Sequence, residues 1–119
     1  MKFVLVSEPI VDWPVKVRVP VSGGRFQEQV FTGQFKVVSV ERQRGLAVPS
    51  VEEALNGADG DGAFLREVFV GWSDNMSDEN GDPIKFADEI RDQLIGIPYV
   101  RTALTRAYVA LAEGGRRKN

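Results

Sequence analysis

Hydrophobic and polar residues alternate strictly near the start of the chain. Residues 15–21 read VKVRVPV, which places four valines on one face of an extended segment and Lys16 and Arg18 on the other. Such alternation is typical of a β-strand with one buried face. Pro20 lies on the polar side near the end of the run, where an edge strand tolerates the missing amide proton.

The next segment predicts a second strand and therefore a hairpin. Ser22-Gly23-Gly24 has the composition of a turn, and residues 25–40 again place apolar side chains at even spacing. Gly33 interrupts this run and predicts a bulge. We expect a β-hairpin, and residues 3–6 are a candidate third strand beside it.

Helical signals begin in the middle of the chain. Ser50 and Glu53 have the spacing of a capping box, and Asn56-Gly57 predicts the end of that short helix. A linker, GADGDG at 57–62, follows. Beyond it the apolar residues have helical spacing, although residues 68–70 also fit a strand: Phe64, Leu65, Val68, Phe69 and Trp72.

Two clearer helices are predicted in the last third of the chain. Apolar stripes define them, the first at Ile84, Ala87, Ile90 and Leu94, the second at Val100, Leu104, Ala107, Tyr108 and Leu111. Gly96 suits the position after the first helix, and Pro98 suits the first turn of the second. Gly114-Gly115 predicts where the second helix ends.

The order of these elements predicts the fold class. Because strands come first and helices after them, we expect an α+β fold: an N-terminal β-hairpin or small antiparallel sheet followed by three to four α-helices. The length fits a single domain over residues 1–119. Within it, residues 1–45 are expected to be mostly β, 50–113 mostly α, and 114–119 a flexible tail.

The composition excludes several kinds of chemistry. The 119 residues contain neither cysteine nor histidine, which excludes disulfides, thiol nucleophiles and Cys/His zinc sites. An enzyme of this sequence would depend on carboxylates, lysine or tyrosine. No run of about 20 apolar residues occurs, and the apolar run near the start is too short for a signal peptide. We therefore expect a cytoplasmic protein.

Charge is distributed unevenly along the chain. Residues 51–92 hold twelve acidic and three basic side chains, whereas residues 1–50 and 93–119 are net basic. The acidic middle argues against a nucleic-acid-binding face there. Arg101 and Arg106 are five positions apart on a predicted helix, so they diverge instead of forming one basic face. We expect no nucleic-acid partner and no membrane partner.

The acidic stretch Gly71–Phe86, GWSDNMSDENGDPIKF, invites a test for a calcium loop. Setting Gly81 at the sixth position of an EF-hand loop leaves the first and twelfth positions to Met76 and Ala87. Both positions need a side-chain oxygen, so the match fails. Asn80-Gly81 instead predicts a turn, and we expect no metal site.

The remaining acidic groups have simpler explanations, and the aromatic residues are more informative. Asp59 and Asp61 lie in the glycine linker, and Asp88, Glu89 and Asp92 lie beside Arg91 on the polar face of a predicted helix. Tryptophan and tyrosine are over-represented among residues that anchor protein partners. The candidate partner-binding residues are Trp72, Phe86, Tyr99 and Tyr108, with core packing as the alternative for each.

An ordered set of short motifs spans nearly the whole chain. These are Trp13-Pro14-Val15, Val19-Pro20, Phe-x-Gly-x-Phe-Lys at 31–36, Gly71-Trp72, Asp-Glu-Asn-Gly-x-Pro at 78–83, Phe86, Ile97-Pro98-Tyr99-Val100-Arg101 with Ala103-Leu104, and Ala107-Tyr108. Each is a packing or turn feature. As an ordered set, they resemble the tail assembly chaperones of long-tailed bacteriophages.

The resemblance implies a non-enzymatic protein without a catalytic residue, metal or cofactor. Such chaperones bind the tape measure protein, a very long helical chain, and keep it soluble in the host cytoplasm until tail tube subunits polymerise around it. They are absent from the mature virion. Uneven charge would further allow copies to associate head to tail along this client.

A second product is a further implication of the resemblance. The family often makes a longer form by programmed ribosomal frameshifting, and the extension is thought to recruit the tail tube protein. Lys118-Asn119 can be encoded AAA-AAC, which would form part of a slippery heptamer. We therefore expect A-rich codons there in the gene.

Two other function classes remain open. A structural virion protein of the head–tail joining or tail-completion type would persist in purified particles, where mass spectrometry would detect it. A carboxylate hydrolase dependent on magnesium or calcium would bind a divalent ion tightly in calorimetry.

Overall fold

The computed structural model describes residues 2–47, 60–73 and 75–114. These residues form three strands and four helices, and the fold is α+β as predicted. In chain order the elements are β1 (Ile10–Val21), β2 (Arg25–Lys36), α1 (Val40–Ala47), α2 (Gly60–Val68), β3 (Phe69–Trp72), α3 (Asp88–Ile95) and α4 (Pro98–Ala112).

Strands β1 and β2 form the predicted hairpin, an antiparallel pair of twelve residues each. Gly23 and Gly24 in the turn have φ of 91° and 75°, a region that glycine adopts without steric cost. Val15 and Val17 are buried, whereas Lys16 on the opposite face is exposed. The alternation along the sequence thus matches the two faces of β1.

The third strand is not the predicted one. Residues 2–6 lie outside any strand and are exposed. Instead, β3 pairs antiparallel with the second half of β2, where Gly33 lies opposite Trp72. The sheet order is β1-β2-β3. The alternative of a strand at residues 68–70 was therefore the better prediction for this segment, since α2 ends at Val68 and β3 follows at once.

The bulge lies in β3 and not at Gly33. The register shifts after Gln34, because Phe35 pairs with Phe69 and leaves Val70 as the extra residue. Gly33 has a different role. A Cβ at this position would lie 2.9 Å from a ring carbon of Phe35, so only glycine lets the buried ring pack this closely on the backbone.

The second strand is shorter than predicted, and helix α1 begins after it within residues 1–45, which were predicted to be mostly β. Strand β2 ends at Lys36, and Ser39 is the N-cap of α1, since its hydroxyl accepts the amide proton of Arg42 at 3.1 Å. The capping box predicted at Ser50 and Glu53 lies outside the described residues. The last three residues of the predicted linker, 60–62, belong to α2.

The two C-terminal helices are close to their predicted positions. Helix α3 starts at Asp88, so Ile84 lies in the preceding loop and not in the helix. Pro98 occupies the first turn of α4, and Gly114, with φ of 70°, follows its end. No helix within the described residues is both long and apolar enough to cross a membrane.

The hydrophobic core lies between the sheet and the helices. Helix α4 packs against β1, and α2 packs beside β2 and β3. Phe35 and Phe69 are fully buried, with ring centroids 5.5 Å apart. Phe64 meets the ring of Tyr108 edge-on at 4.9 Å. The rings of Phe35 and Tyr108, with centroids 6.4 Å apart, join α4 to the hairpin.

Candidate partner-binding groove

An open groove runs between the hairpin and the two C-terminal helices. Its volume is about 310 Å³. The hairpin wall consists of Val17, Val19 and Phe31 together with their neighbours Gln29 and Val30, and the helical wall of Leu94, Tyr99 and Val100. Met76 and Ile84, from the loop between β3 and α3, also line it. The lining is thus mostly aliphatic and aromatic.

Hydrogen bonds from neighbouring residues hold the loop that lines the groove. The indole N–H of Trp72 donates to the carbonyl oxygen of Ile84 at 2.6 Å. The backbone N–H of Ile84 in turn donates to the carbonyl of Met76 at 2.9 Å. Phe86 packs on the indole, with ring centroids 4.9 Å apart. Trp72 therefore positions the loop side of the groove.

The acidic stretch forms a tight turn at the end of this loop. Ser77 and Pro83 form an antiparallel bridge, and the carboxylate of Asp78 accepts the backbone amides of Asn80 and Asp82 at 2.9 and 3.0 Å. Gly81 has φ of 84°, as its place in the turn requires. The predicted turn is confirmed. No group of three or more acidic side chains placed to hold a metal ion occurs among the described residues.

The structure separates the four candidate aromatic residues. Tyr108 and Trp72 are buried, with 2% and 8% of their surface exposed, and belong to the core. Tyr99 and Phe86 are partly exposed, at 38% and 37%. Of the four, Tyr99 lines the groove, and Phe86 reaches it only indirectly, by packing on Trp72.

The carboxylates of α3 form ion pairs on the helix surface. Arg91 lies 3.0 Å from Asp92 and 3.5 Å from Asp88, and Glu89 is exposed. This arrangement agrees with the interpretation of a solvated helix face. Asp61 is exposed in the first turn of α2, and Asp59 lies outside the described residues. None of these carboxylates lines the groove.

A network of ion pairs joins β2 to the helices. The carboxylate of Glu67 binds Lys36 at 2.6 Å and also binds Arg42, which contacts Glu8 as well. The hydrogen bond from Lys36, together with the charges of Lys36 and Arg42, holds the pKa of Glu67 below its ordinary value. The hydrogen bond to Glu8 raises the pKa of Arg42. The network ties α1 and α2 to the sheet.

Sequence patterns alone did not reveal the groove. Val17, Val19 and Leu94 fit the core positions of a strand and a helix, and nothing in their spacing shows that a groove opens between them. Val30 and Phe31 are adjacent apolar residues and therefore lie on opposite faces of β2, so this pair does not mark the groove either.

Comparisons with protein-family profiles, with curated proteins and with solved structures found no match.

Proposed function

We propose that this chain is a tail assembly chaperone of a long-tailed bacteriophage. It binds helical segments of the tape measure protein and keeps them soluble in the cytoplasm of the infected host, and it is absent from the mature virion. The observation that carries the proposal is the apolar groove, open to solvent, with the ring of Tyr99 partly exposed in its wall. The ordered motifs along the chain support the family.

The groove has the chemistry that an amphipathic helix requires. A helix presents an apolar stripe of residues at i, i+3, i+4 and i+7, and docks it into a groove lined by apolar side chains. Val19, Ile84 and Leu94 are only partly buried in the isolated chain, so a docked helix would remove further apolar surface from water. Tyr99 adds a rigid aromatic contact.

The charge beside the groove favours a client with basic residues flanking its apolar stripe. Ser77 lines the groove, and the turn that follows carries Asp78, Glu79 and Asp82, all exposed. Opposite charges across an interface raise the association rate and select the register of the bound helix. Salt screens exposed charges, so the affinity should fall as ionic strength rises.

The partner-binding residues then have two roles. Tyr99 contacts the client, whereas Tyr108 and Trp72, with Phe86 packed on its indole, hold the two sides of the groove in place. Catalysis, metal ions and cofactors have no part in this proposal. A longer frameshifted form would carry the segment that recruits the tail tube protein.

Co-expression with the long helical protein of the same phage tests the proposal. We expect the chain to move this protein from the insoluble to the soluble fraction. The variant Tyr99→Glu places a charge in the groove and should abolish the rescue. Val109→Glu is the matched control, because Val109 lies on the same helix, is 47% exposed and does not line the groove.

Two results would count against the proposal. Equal rescue by Tyr99→Glu and Val109→Glu would exclude the groove as the binding site. Recovery of the chain from purified virions by mass spectrometry, without any rescue in cells, would favour a structural protein of the head–tail joining or tail-completion type.

A further inference from the structure

Residues 2–6, Lys-Phe-Val-Leu-Val, form an unpaired apolar segment that we call the N-terminal arm. Phe3 and Leu5 are 87% and 84% exposed, and Val4 is 73% exposed. In an extended chain, Phe3 and Leu5 face one side and Val4 and Val6 the other. Apolar residues on both faces are typical of a strand that is covered on both faces. The described fold covers neither.

The root of the arm is fixed to the body of the fold. The carbonyl of Pro9 accepts the amide proton of Val37 at 2.8 Å, next to the pair of Ile10 and Lys36 that begins the hairpin ladder. Glu8 binds Arg42 and has φ of 50°, a left-handed conformation that interrupts the extended chain. The arm therefore does not continue β1.

One edge of the hairpin is closed to a further strand. Pro14 and Pro20 lie in β1 opposite Thr32 and Phe26. Proline has no amide proton, so these positions face away from the ladder and deprive the outer edge of β1 of two donors. Proline in an edge strand blocks pairing with another chain.

The other edge, along the first half of β2, is open. Backbone N–H and C=O groups point alternately to the two sides of a strand. Phe26, Glu28 and Val30 pair with even-numbered residues of β1 and direct these groups away from β1. Thr32, the next residue in this series, already has hydrogen bonds on that side. Its carbonyl accepts the amide proton of Ser73, and its own amide donates to the side chain of Asn75. Within the described residues, no strand pairs with β2 on this side, away from β1, before Thr32.

The arm cannot reach this free edge in its own chain. From Pro9 to Phe3 the chain spans at most about 20 Å, at about 3.4 Å per residue. From Lys36, beside the root of the arm, Val30 is also about 20 Å along β2 and Phe26 about 34 Å. Full extension would bring only Phe3 level with Val30, so residues 3–6 cannot pair with β2 between Phe26 and Val30 of their own chain. An arm that pairs there has to come from a second copy.

We propose that the arm of one copy adds as a strand to the free edge of β2 in a second copy, between Phe26 and Val30. Main-chain hydrogen bonds supply the pairing, as in other cases of strand addition. The arm covers apolar side chains that are now in solvent, since Phe26 and Val30 are 56% and 48% exposed. Lys2, the one charged residue of the arm, complements Glu28 at the middle of the edge. The inference does not depend on the proposed client.

Sedimentation velocity at increasing protein concentration measures the association. We expect wild type to form a concentration-dependent oligomer, and F3E/L5E to remain monomeric, because both side chains are exposed in the fold and support nothing within it. Glu28→Pro removes an outward-facing donor from the free edge and should give the same loss. Lys16→Pro is the matched control, since Lys16 lies opposite Val30 and faces the outer edge of β1, and it should associate like wild type.

Disulfide trapping locates the contact, because the chain has no cysteine of its own. Copies carrying only Leu5→Cys are mixed with copies carrying only Glu28→Cys, or only Lys16→Cys, and oxidised. We expect a mixed dimer with Glu28→Cys at least tenfold in excess of that with Lys16→Cys. Equal trapping at the two positions, or a wild-type chain that stays monomeric at several hundred micromolar, overturns the proposal. Loss of client rescue with intact trapping would overturn only the proposed function.

Discussion

The hydroxyl oxygen of Tyr108 accepts a hydrogen bond from the backbone amide of Val38 at 3.2 Å. The two residues are separated by 70 positions, and both are buried. The bond joins α4 to the segment that leaves the sheet after β2. The Val38 amide is buried and has no access to bulk water. Without the Tyr108 hydroxyl it would be a buried donor with no acceptor.

Replacement of this hydroxyl should destabilise the fold. Tyr108→Phe keeps the ring and leaves the amide of Val38 without its acceptor, which should lower the free energy of unfolding by about 1–2 kcal/mol. Tyr99→Phe removes a hydroxyl from a partly exposed ring and should change the free energy of unfolding by less than about 0.5 kcal/mol. Urea denaturation of the two variants measures the difference. Equal stability of the two would show that the buried bond contributes little.

Gly33 should resist substitution because of the ring of Phe35. In Gly33→Ala the new methyl group would lie 2.9 Å from that ring and 3.2 Å from a methyl of Val15, and both side chains are fully buried. Overpacking of this kind typically costs about 1–3 kcal/mol.

Gly45→Ala is the control for this prediction. Gly45 lies within α1, and a Cβ there would meet nothing within 4 Å. Alanine in a helix is more stable than glycine by about 0.5–1 kcal/mol, so the melting temperature should rise slightly. If Gly45→Ala lowered the melting temperature as much as Gly33→Ala, the loss of a glycine, and not the contact with the Phe35 ring, would explain the destabilisation.

Parts of the fold that depend on local pattern could be predicted from the sequence. The alternation of Val15, Val17 and Val19 reflects the two faces of one strand, and Pro98 marks a helix start. The segment from Phe69 to Trp72 could not be assigned in this way, since its apolar residues also continue the helical spacing of Phe64. Its strand conformation is decided by a long-range partner, the backbone of β2.

The groove and the arm could not be predicted from local pattern, because each depends on which apolar side chains the rest of the fold leaves exposed. Phe3 and Leu5 have the sequence pattern of a buried strand, yet the fold provides nothing that covers them. Tyr108 and Tyr99 are equally plausible anchors by residue type, and only their depths, 2% and 38% exposed, separate them. Periodicity identifies an apolar residue but not the surface that covers it.

The stability contributed by Glu67 should depend on pH. Lys36 and Arg42 lower the pKa of this carboxyl in the folded chain below its ordinary value of 4.5. The folded state therefore holds the proton less tightly than the unfolded state, and stability falls as the pH drops below 4.5 through the folded pKa. We expect Glu67→Gln to melt at a lower temperature than wild type at pH 7, with the gap closing toward pH 3.

An exposed carboxylate supplies the control for the pH dependence. Glu79 is exposed in the turn after Ser77, so Glu79→Gln should follow the wild-type melting curve across the same pH range. A gap between wild type and Glu67→Gln that stays constant from pH 7 to pH 3 would contradict the linkage. It would indicate a packing effect of the substitution instead.

The acidic turn should be stabilised by its own hydrogen bonds and not by calcium. The side chain of Asp78 accepts two backbone amides, whereas Asp82 contributes its backbone groups to the turn. Asp78→Ala should therefore lower the free energy of unfolding by about 1 kcal/mol, comparable to the loss of a helix N-cap. Asp82→Ala, the matched control, should change it by less than about 0.5 kcal/mol.

Calcium separates the two explanations of this turn, because a ligand that binds the folded state raises its stability by RT ln(1 + [L]/Kd). Millimolar calcium should leave the melting temperature of wild type unchanged, and EDTA should have no effect. A calcium site built from both carboxylates would behave differently: calcium would raise the melting temperature, and Asp78→Ala and Asp82→Ala would each abolish the increase. Only the Asp78 side chain binds the backbone amides of Asn80 and Asp82. A melting temperature that depends equally on Asp78 and Asp82 would therefore contradict a turn that is stabilised by Asp78 alone.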